Sequence, residues 1–305
     1  MNPRKLFPKH IKTIAVTAPA GAPDPAKLAS ALDFLQQQVQ VKTYLPTSDD
    51  TADVPNYLAG SAGTRLDLLN AAIRDEEVDM ILCARGGFGC VHLLNGVDYD
   101  SLRRRQLPLM GYSDITALHC AMLTKNAGIP VAGSNLIGLE NLAIDNFSYQ
   151  SQFAMLALSS DPVELPEPPQ KLYALLPEKS CQVSARAYSA NLTVLASLCG
   201  TGFMPDFNNM ILILEDVNEP VYKLDRMLTQ LLLNGVFENL AALVFGIFSG
   251  DEADSPELAM LLQRIARRVS APCFGGFQFG HTYPMCAVSS AKKLTLTPGK
   301  NYLVG

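Results

Sequence analysis

The 305-residue chain has no tryptophan, only four histidines and no Cys-x-x-Cys pair. The missing tryptophan decides nothing, but the other two scarcities do. His10, His92, His119 and His281 form neither an H-x-x-x-H nor an H-x-x-E-H pair, so a zinc site has little to build on, and no metal or other cofactor is expected. The seven cysteines, Cys83, Cys90, Cys120, Cys181, Cys199, Cys273 and Cys286, are odd in number and scattered. Reduced thiols in a cytoplasm fit them better than a disulfide framework. A net charge of −5 leaves no basic footprint for a nucleic acid. No run approaches the roughly 20 apolar residues that span a bilayer. The opening stretch MNPRKLFPKHIKTIAV has basic residues but no apolar segment of useful length before the first strand, so neither a membrane span nor a secretory signal is expected.

What is present describes a well-cored globular protein. Hydrophobic residues make up 48% of the chain and charged ones 17%, and a chain of this length exceeds most single cores, so two domains are expected. Residues 11–18 (IKTIAVTA) read as a buried strand closed by Pro19-Ala20-Gly21. Asp24-Pro25 then opens a helix carrying Leu28, Leu32 and Leu35. A strand near 39–45, a polar loop through Asp49, Asp50 and Asp53, a helix over 63–75 and a buried strand over 78–84 follow. Next comes a glycine loop, Arg85-Gly86-Gly87-Phe88-Gly89, with an apolar pattern at Val91, Leu93 and Leu94 that suggests a helix behind it. The spacing is wrong for a dinucleotide fingerprint. Such glycines instead let backbone N–H groups approach a reacting oxygen.

The stretch 107–122 (LPLMGYSDITALHCAM) reads as a strand that turns sharply at Ser113 into a helix with Ile115, Leu118 and Met122 on one face. A serine at such a corner is held out of the sheet, in front of a helix N-terminus with unpaired N–H groups, as a nucleophile elbow requires. The alternative is that Ser113 or Asp114 merely caps the helix. With a further strand over 129–133, the alternation implies a doubly wound parallel sheet whose sites form at the carboxyl ends of strands.

Residues 159–180 carry five prolines and read as a connector, giving domains at 1–158 and 181–305. The second is expected to be a smaller, β-rich α/β domain. Beyond the connector lie a strand over 183–189, a short helix over 191–199, a buried strand over 210–214 and a helix from Pro220 ended by Asn234-Gly235. A strand over 240–248, a helix over 256–269 and short β segments over 287–303 complete it. The apolar strand 210–214 delivers Glu215-Asp216 at its end, where Glu215 serves either chemistry or a helix dipole. His281 sits between Gly280 and Thr282 in a stretch without helical period. It is either structural or catalytic.

Taken together, ARGGFG (84–89), GYSDITAL (111–118), NLTVLASLCGT (191–201), LEDVNEPVYKLDRMLTQL (214–231) and FGHT (279–282) resemble the serine LD-carboxypeptidases. That family comprises murein tetrapeptide carboxypeptidases and relatives that cleave the peptide nucleotide microcin C. The resemblance implies a triad of Ser113, His281 and Glu215, with the backbone N–H groups of Gly86 and Asp114 as oxyanion hole. A serine is a weak nucleophile until a histidine takes its proton, and that histidine needs an acid to set its tautomer. The implied substrate is a small peptide, a murein tetrapeptide ending in D-alanine, handled in the cytoplasm during peptidoglycan recycling by a homodimer. Its terminal carboxylate would suit a cation, for which Arg85, beside Gly87, is a candidate, although a surface or structural role serves Arg85 equally. Microcin-type immunity and a non-catalytic peptide-binding role stay open as alternatives. One departure from the family is Ser189-Ala190, where two glycines usually precede the asparagine, which puts the backbone near Asn191 in question.

Overall fold

The computed structural model describes residues 5–47, 49–51, 54–159 and 161–305; Asp53 of the expected polar loop and residues 1–4 of the opening stretch lie outside these. The chain divides into two compact units, Met1–Asp145 and Asn146–Gly305.

The first unit alternates strand and helix: β1 (Thr13–Thr17), α1 (Pro25–Gln36), β2 (Gln40–Tyr44), α2 (Ala62–Arg74), β3 (Met80–Cys83), α3 (Tyr99–Arg105), β4 (Pro108–Gly111), α4 (Thr116–Thr124), β5 (Ile129–Ala132) and α5 (Leu139–Ile144). Local chemistry starts the helices, at Asp24-Pro25 as expected. Asp24 caps α1 by accepting from Lys27 N at 2.9 Å with Pro25 in the first turn, and Ser61 caps α2 by accepting from Thr64 N at 3.0 Å. β1 and β3 are buried along their whole length, as central strands covered on both faces must be, hence the apolar run of β3 and the apolar centre of β1 between Thr13 and Thr17. The strands lie in the order β5-β4-β3-β1-β2, all parallel. The direction of winding reverses between β1 and β3, and a doubly wound sheet opens its crevice at that point. Gly21, after β1, bridges the switch point by donating its N–H to Gly86 O, after β3, at 3.1 Å.

The expected helix directly behind the glycine loop is absent. Cys90–His92 form a single 3-10 turn, and the next helix, α3, starts only at Tyr99. Leu93 and Leu94 are buried but Val91 is 39% exposed, so the apolar pattern that suggested a helix comes from a compact loop.

The second unit contains α6 (Asn146–Leu156), β6 (Val163–Glu164), β7 (Tyr173–Ala174), β8 (Val183–Asn191), α7 (Leu192–Ser197), β9 (Ile211–Val217), α8 (Val221–Leu233), β10 (Ala242–Ser249), α9 (Pro256–Arg268), β11 (Cys273–Gly275), β12 (Val288–Ser289), β13 (Lys293–Leu296) and β14 (Leu303–Val304). A sheet runs β6-β14-β13-β8-β9-β10-β11-β7. Its centre, β8 to β11, is parallel, and the outer strands pair antiparallel. The proline-rich segment supplies β6 and β7 at the two edges, where proline's missing N–H does least harm. β9 extends to Val217, so Glu215 and Asp216 lie within the strand and not beyond it as expected. Opposite Glu215 the register of β10 slips between Phe245 and Phe248, a bulge that bends this strand beside the acid.

Candidate active site

In the first unit, β4 ends at Gly111 and the chain turns through Ser113–Ile115, one 3-10 turn, into α4. Ser113 is held at φ 66°, a left-handed conformation that a serine adopts only when its surroundings impose it. Neither Ser113 nor Asp114 caps this turn or α4. Ser113 is half-buried, while Asp114 is 4% exposed and its Oδ2 accepts from Cys90 N at 2.8 Å. Burial raises the Asp114 pKa, against the pull of the Cys90 N–H and thiol and of the Arg65 charge.

The glycine loop comes up against this corner. A Cβ on Gly86 would lie 2.8 Å from Ser113 Cβ and 3.0 Å from its Oγ, so no other residue fits without moving the backbone. Gly87 is exposed with φ 108°, and Arg85 is exposed with Nη1 donating to Ala22 O at 2.9 Å. The loop thus brings backbone to the serine, while the arginine points to solvent from a partly tethered position.

In the second unit, His281 Nδ1 lies 2.8 Å from Glu215 Oε2. The acid is fully buried and the histidine side chain is 20% exposed. Gly280 makes the approach possible: at φ 155°, a Cβ there would stand 2.6 Å from Ile247 O, and Phe279 O meanwhile accepts from Ile247 N at 2.8 Å. The histidine loop therefore runs along the bulged part of β10, directly over the acid. Burial pushes the Glu215 pKa up, opposed by its bonds to His281 and Asn191. For His281 burial works downward, but the hydrogen bond and charge of Glu215, with that of Asp216, outweigh it and the pKa is raised. With Glu215 ionised, Nδ1 carries the proton and the lone pair of the neutral ring sits on Nε2, the tautomer a general base needs.

Asn191, in the NLTVLASLCGT motif, is central to this half of the site. Its Oδ1 caps α7 by accepting from Val194 N, and its Nδ2 lies 3.1 Å from both Glu215 Oε1 and Asp216 Oδ1. The Ser189-Ala190 pair leaves the backbone regular, although the buried Ser189 Oγ has no hydrogen-bond partner among the described residues. Both residues are buried in regular strand, registered with Ile213 and Leu214, and Asn191 stands opposite Glu215. Asp216 extends the same network, accepting also from Thr193 N at 2.9 Å and Thr193 Oγ1 at 2.7 Å.

Two of the remaining histidines sit in different surroundings. His119 is buried with Nε2 2.9 Å from Leu109 O, and burial lowers its pKa to about 4; the ring of His92 packs edge-on to Phe88 at 5.3 Å. The cysteines are all unbridged, and burial pushes Cys83 and Cys286 up to about 12 and Cys273 to about 11, far from nucleophilic thiolates. Among the described residues no group of three or more His, Cys, Asp or Glu is placed to hold a metal ion, and no helix is long and apolar enough to cross a membrane.

The chain thus carries an elbow serine on a doubly wound unit and a buried carboxylate–imidazole pair on a second α/β unit. Residues 14–133 match the LD-carboxypeptidase N-terminal domain and residues 184–296 the LD-carboxypeptidase C-terminal domain. The chain belongs to the LD-carboxypeptidase family, which makes it a carboxypeptidase by class. It is 32% identical over 301 residues to a "Probable murein peptide carboxypeptidase" of Bacillus subtilis, covering 96% of this chain and 91% of that protein. It is also 25% identical over 312 residues to the microcin self-immunity protein MccF of Escherichia coli, covering 92% and 88%. The crystal structure of a muramoyltetrapeptide carboxypeptidase from Oxalobacter formigenes shares the fold with a TM-score of 0.78 at 23% identity, over 96% of this chain and 98% of that one.

Proposed function

We propose that the protein is a serine carboxypeptidase that removes the terminal D-alanine from murein tetrapeptides by cutting its bond to an L-centre. The observation that carries this reading is the 2.8 Å bond between His281 Nδ1 and the buried Glu215, which leaves the ring ready to take a proton at Nε2. In the proposed reaction His281 removes the Ser113 hydroxyl proton as Oγ attacks the peptide carbonyl. The N–H groups of Gly86 and Asp114 receive the developing oxyanion, and His281 then returns the proton to the amine of D-alanine, which departs. Water, deprotonated by the same histidine, hydrolyses the acyl-enzyme and restores the serine. Arg85 has donors beyond the one given to Ala22 and serves the substrate's terminal carboxylate, with the Gly87 backbone lining its path. The setting we propose is cytoplasmic recycling of peptidoglycan by a homodimer, without cofactor, metal, nucleic-acid or membrane partner.

The likeness to MccF supports a second substrate, a peptidyl nucleotide, hydrolysed by the same residues. Tetrapeptides with lysine or diaminopimelate at the third position and a peptidyl-adenylate mimic, each incubated with the protein, separate the two when products are followed by mass spectrometry. Release of D-alanine, abolished by Ser113→Ala, is the expected result. A protein that cleaves only the nucleotide substrate, or none, refutes the tetrapeptide reading.

A further inference from the structure

Arg65, on α2 in the first unit, is 1% exposed and is among the largest fully buried side chains of the chain. A guanidinium cannot shed its charge, so its burial must be matched by acceptors. Its Nε donates to Gly60 O at 2.9 Å, Nη1 donates to Pro19 O and to Gly89 O, the latter at 2.9 Å, and Nη2 lies 3.3 Å from His92 Nδ1. One side chain thereby ties together the loop after β1, the entry to α2 and the glycine loop after β3. Burial works to lower the Arg65 pKa, and the charge of Asp114 opposes this.

The contact with Gly89 has a counterpart on the same peptide unit. Its carbonyl is held by Arg65, and its N–H, that of Cys90, donates to Asp114 Oδ2 at 2.8 Å. A cation grips the oxygen and an anion grips the N–H, each matched to its end of the peptide dipole. Gly89 sits at φ 122°, and a Cβ there would lie 2.8 Å from Arg65 Nη1, so the glycine admits the guanidinium. Three residues before this peptide is Gly86, packed on Ser113, and the anion belongs to Asp114, the residue after Ser113.

We propose that Arg65 and the Asp114 carboxylate are positioning residues for the oxyanion hole: they clamp the Gly89–Cys90 peptide and so fix the glycine loop and the elbow in mutual register. This rests on the proposed roles of Ser113, Gly86 and Asp114 N–H. An oxyanion hole acts only if its donors are already aimed when charge develops, and a loop of glycines cannot aim them unaided. These bonds of the two side chains go to loop backbone and to His92 rather than to the serine hydroxyl, and the clamp lies wholly within the first unit.

The test is the rate of Ser113 labelling by a fluorophosphonate, with tetrapeptide kcat and KM measured in parallel, on wild type, Arg65→Met, Arg65→Lys, Asp114→Asn and the Arg65→Met/Asp114→Asn double variant. Folding is checked by circular dichroism and melting. Loss of aim by one donor is expected to slow labelling and kcat by about 10²-fold in Arg65→Met, with KM within about threefold. Arg65→Lys is expected to recover part of this, since one charged donor still reaches a carbonyl. Because both side chains act on one peptide, the double variant should be no slower than the worse single one. Folded variants that label at the wild-type rate, or lose only KM, overturn the clamp. So does failure of both Arg65→Lys and Asp114→Asn to fold, which makes the pair a determinant of the fold. Absence of labelling in wild type is a different failure, that of Ser113 as nucleophile, and removes both proposals together.

Discussion

The side-chain amide of Asn191 donates to Glu215 Oε1 at 3.1 Å while His281 takes the other oxygen at 2.8 Å, so the buried carboxylate is held at both ends and cannot rotate away from the imidazole. Asn191→Ala removes that hold and the α7 cap together. The expected cost is roughly 1–2 kcal/mol of stability from the lost cap and the unmatched carboxylate oxygen. A kcat loss of roughly tenfold should accompany it, the catalytic loss being partly recovered in Asn191→Gln, where an amide is retained. Melting curves with steady-state kinetics decide this; a variant that is destabilised but turns over normally denies Asn191 any hold on the acid.

Glu215→Gln should leave a folded protein with kcat reduced roughly 10²- to 10⁴-fold, because the imidazolium formed in the reaction loses its partner and the wrong tautomer becomes accessible. The pH profile gives an independent check. His281 must be neutral to act as base, and its pKa is raised above 6.5, so the acid limb of kcat/KM is expected above pH 6.5. In Glu215→Gln the residual activity should show this limb moved to lower pH, since burial, which depresses the histidine, is left without its main opponent. An unmoved limb assigns it to another group.

Asp216 accepts from Thr193 N, Thr193 Oγ1 and Val217 N at 2.7 to 2.9 Å, so it secures the start of α7 against β9. Asp216→Asn must turn an amide NH₂ toward at least one of these donors, at a cost of about 1–3 kcal/mol. Turnover of the folded fraction is expected within about threefold of wild type, by analogy with neutral changes outside the reacting groups. Thermal melts and kcat at matched folded fraction test it, and a kinetic collapse here with a near-normal Glu215→Gln would exchange the roles of the two acids.

Gly86→Ala puts a methyl 2.8 Å from Ser113 Cβ. Either the glycine loop withdraws, taking its N–H from the oxyanion position, or the serine shifts; each predicts a fall in kcat of about 10²-fold or more. An alanine variant with normal kcat shows that the loop does not act at the serine.

Acid stability has a separate origin at the rim of the first sheet. Asp75 accepts from Lys42 Nζ at 2.6 Å and Tyr44 Oη at 2.5 Å, and its pKa is lowered to about 2, chiefly by the bond to Lys42. Its folded value lies below its unfolded one, so the contribution is complete above about pH 4 and is lost as pH falls toward 2. Asp75→Asn is expected to lower the urea midpoint above about pH 4 and to converge on wild type as the pH falls toward 2, so that the variant's midpoint depends less on pH across this window.

Much of this protein can be read from the chain alone. Apolar runs such as residues 80–83 announce covered parallel strands, Asp24-Pro25 announces a helix start, and the alternation of the two announces a doubly wound sheet; each is a local preference that tertiary packing only had to accept. Ser113 was legible because a strand, a glycine and a helical period converge on it. Where local signals misled, nonlocal packing was the cause: Leu93 and Leu94 are apolar because they are buried under a loop, without being helical, and β9 continues through two acids because Asn191, Thr193 and His281 supply partners for carboxylates that a strand interior would otherwise reject. Only the tertiary structure pairs Glu215 with His281 across 66 residues, uses a bulge in β10 and Gly280 to bring them to 2.8 Å, and sets Arg65 and Asp114 on opposite ends of one peptide. Those relations join residues far apart in sequence, and which buried charge meets which partner depends on where the backbone carries them, a quantity that no period or propensity encodes.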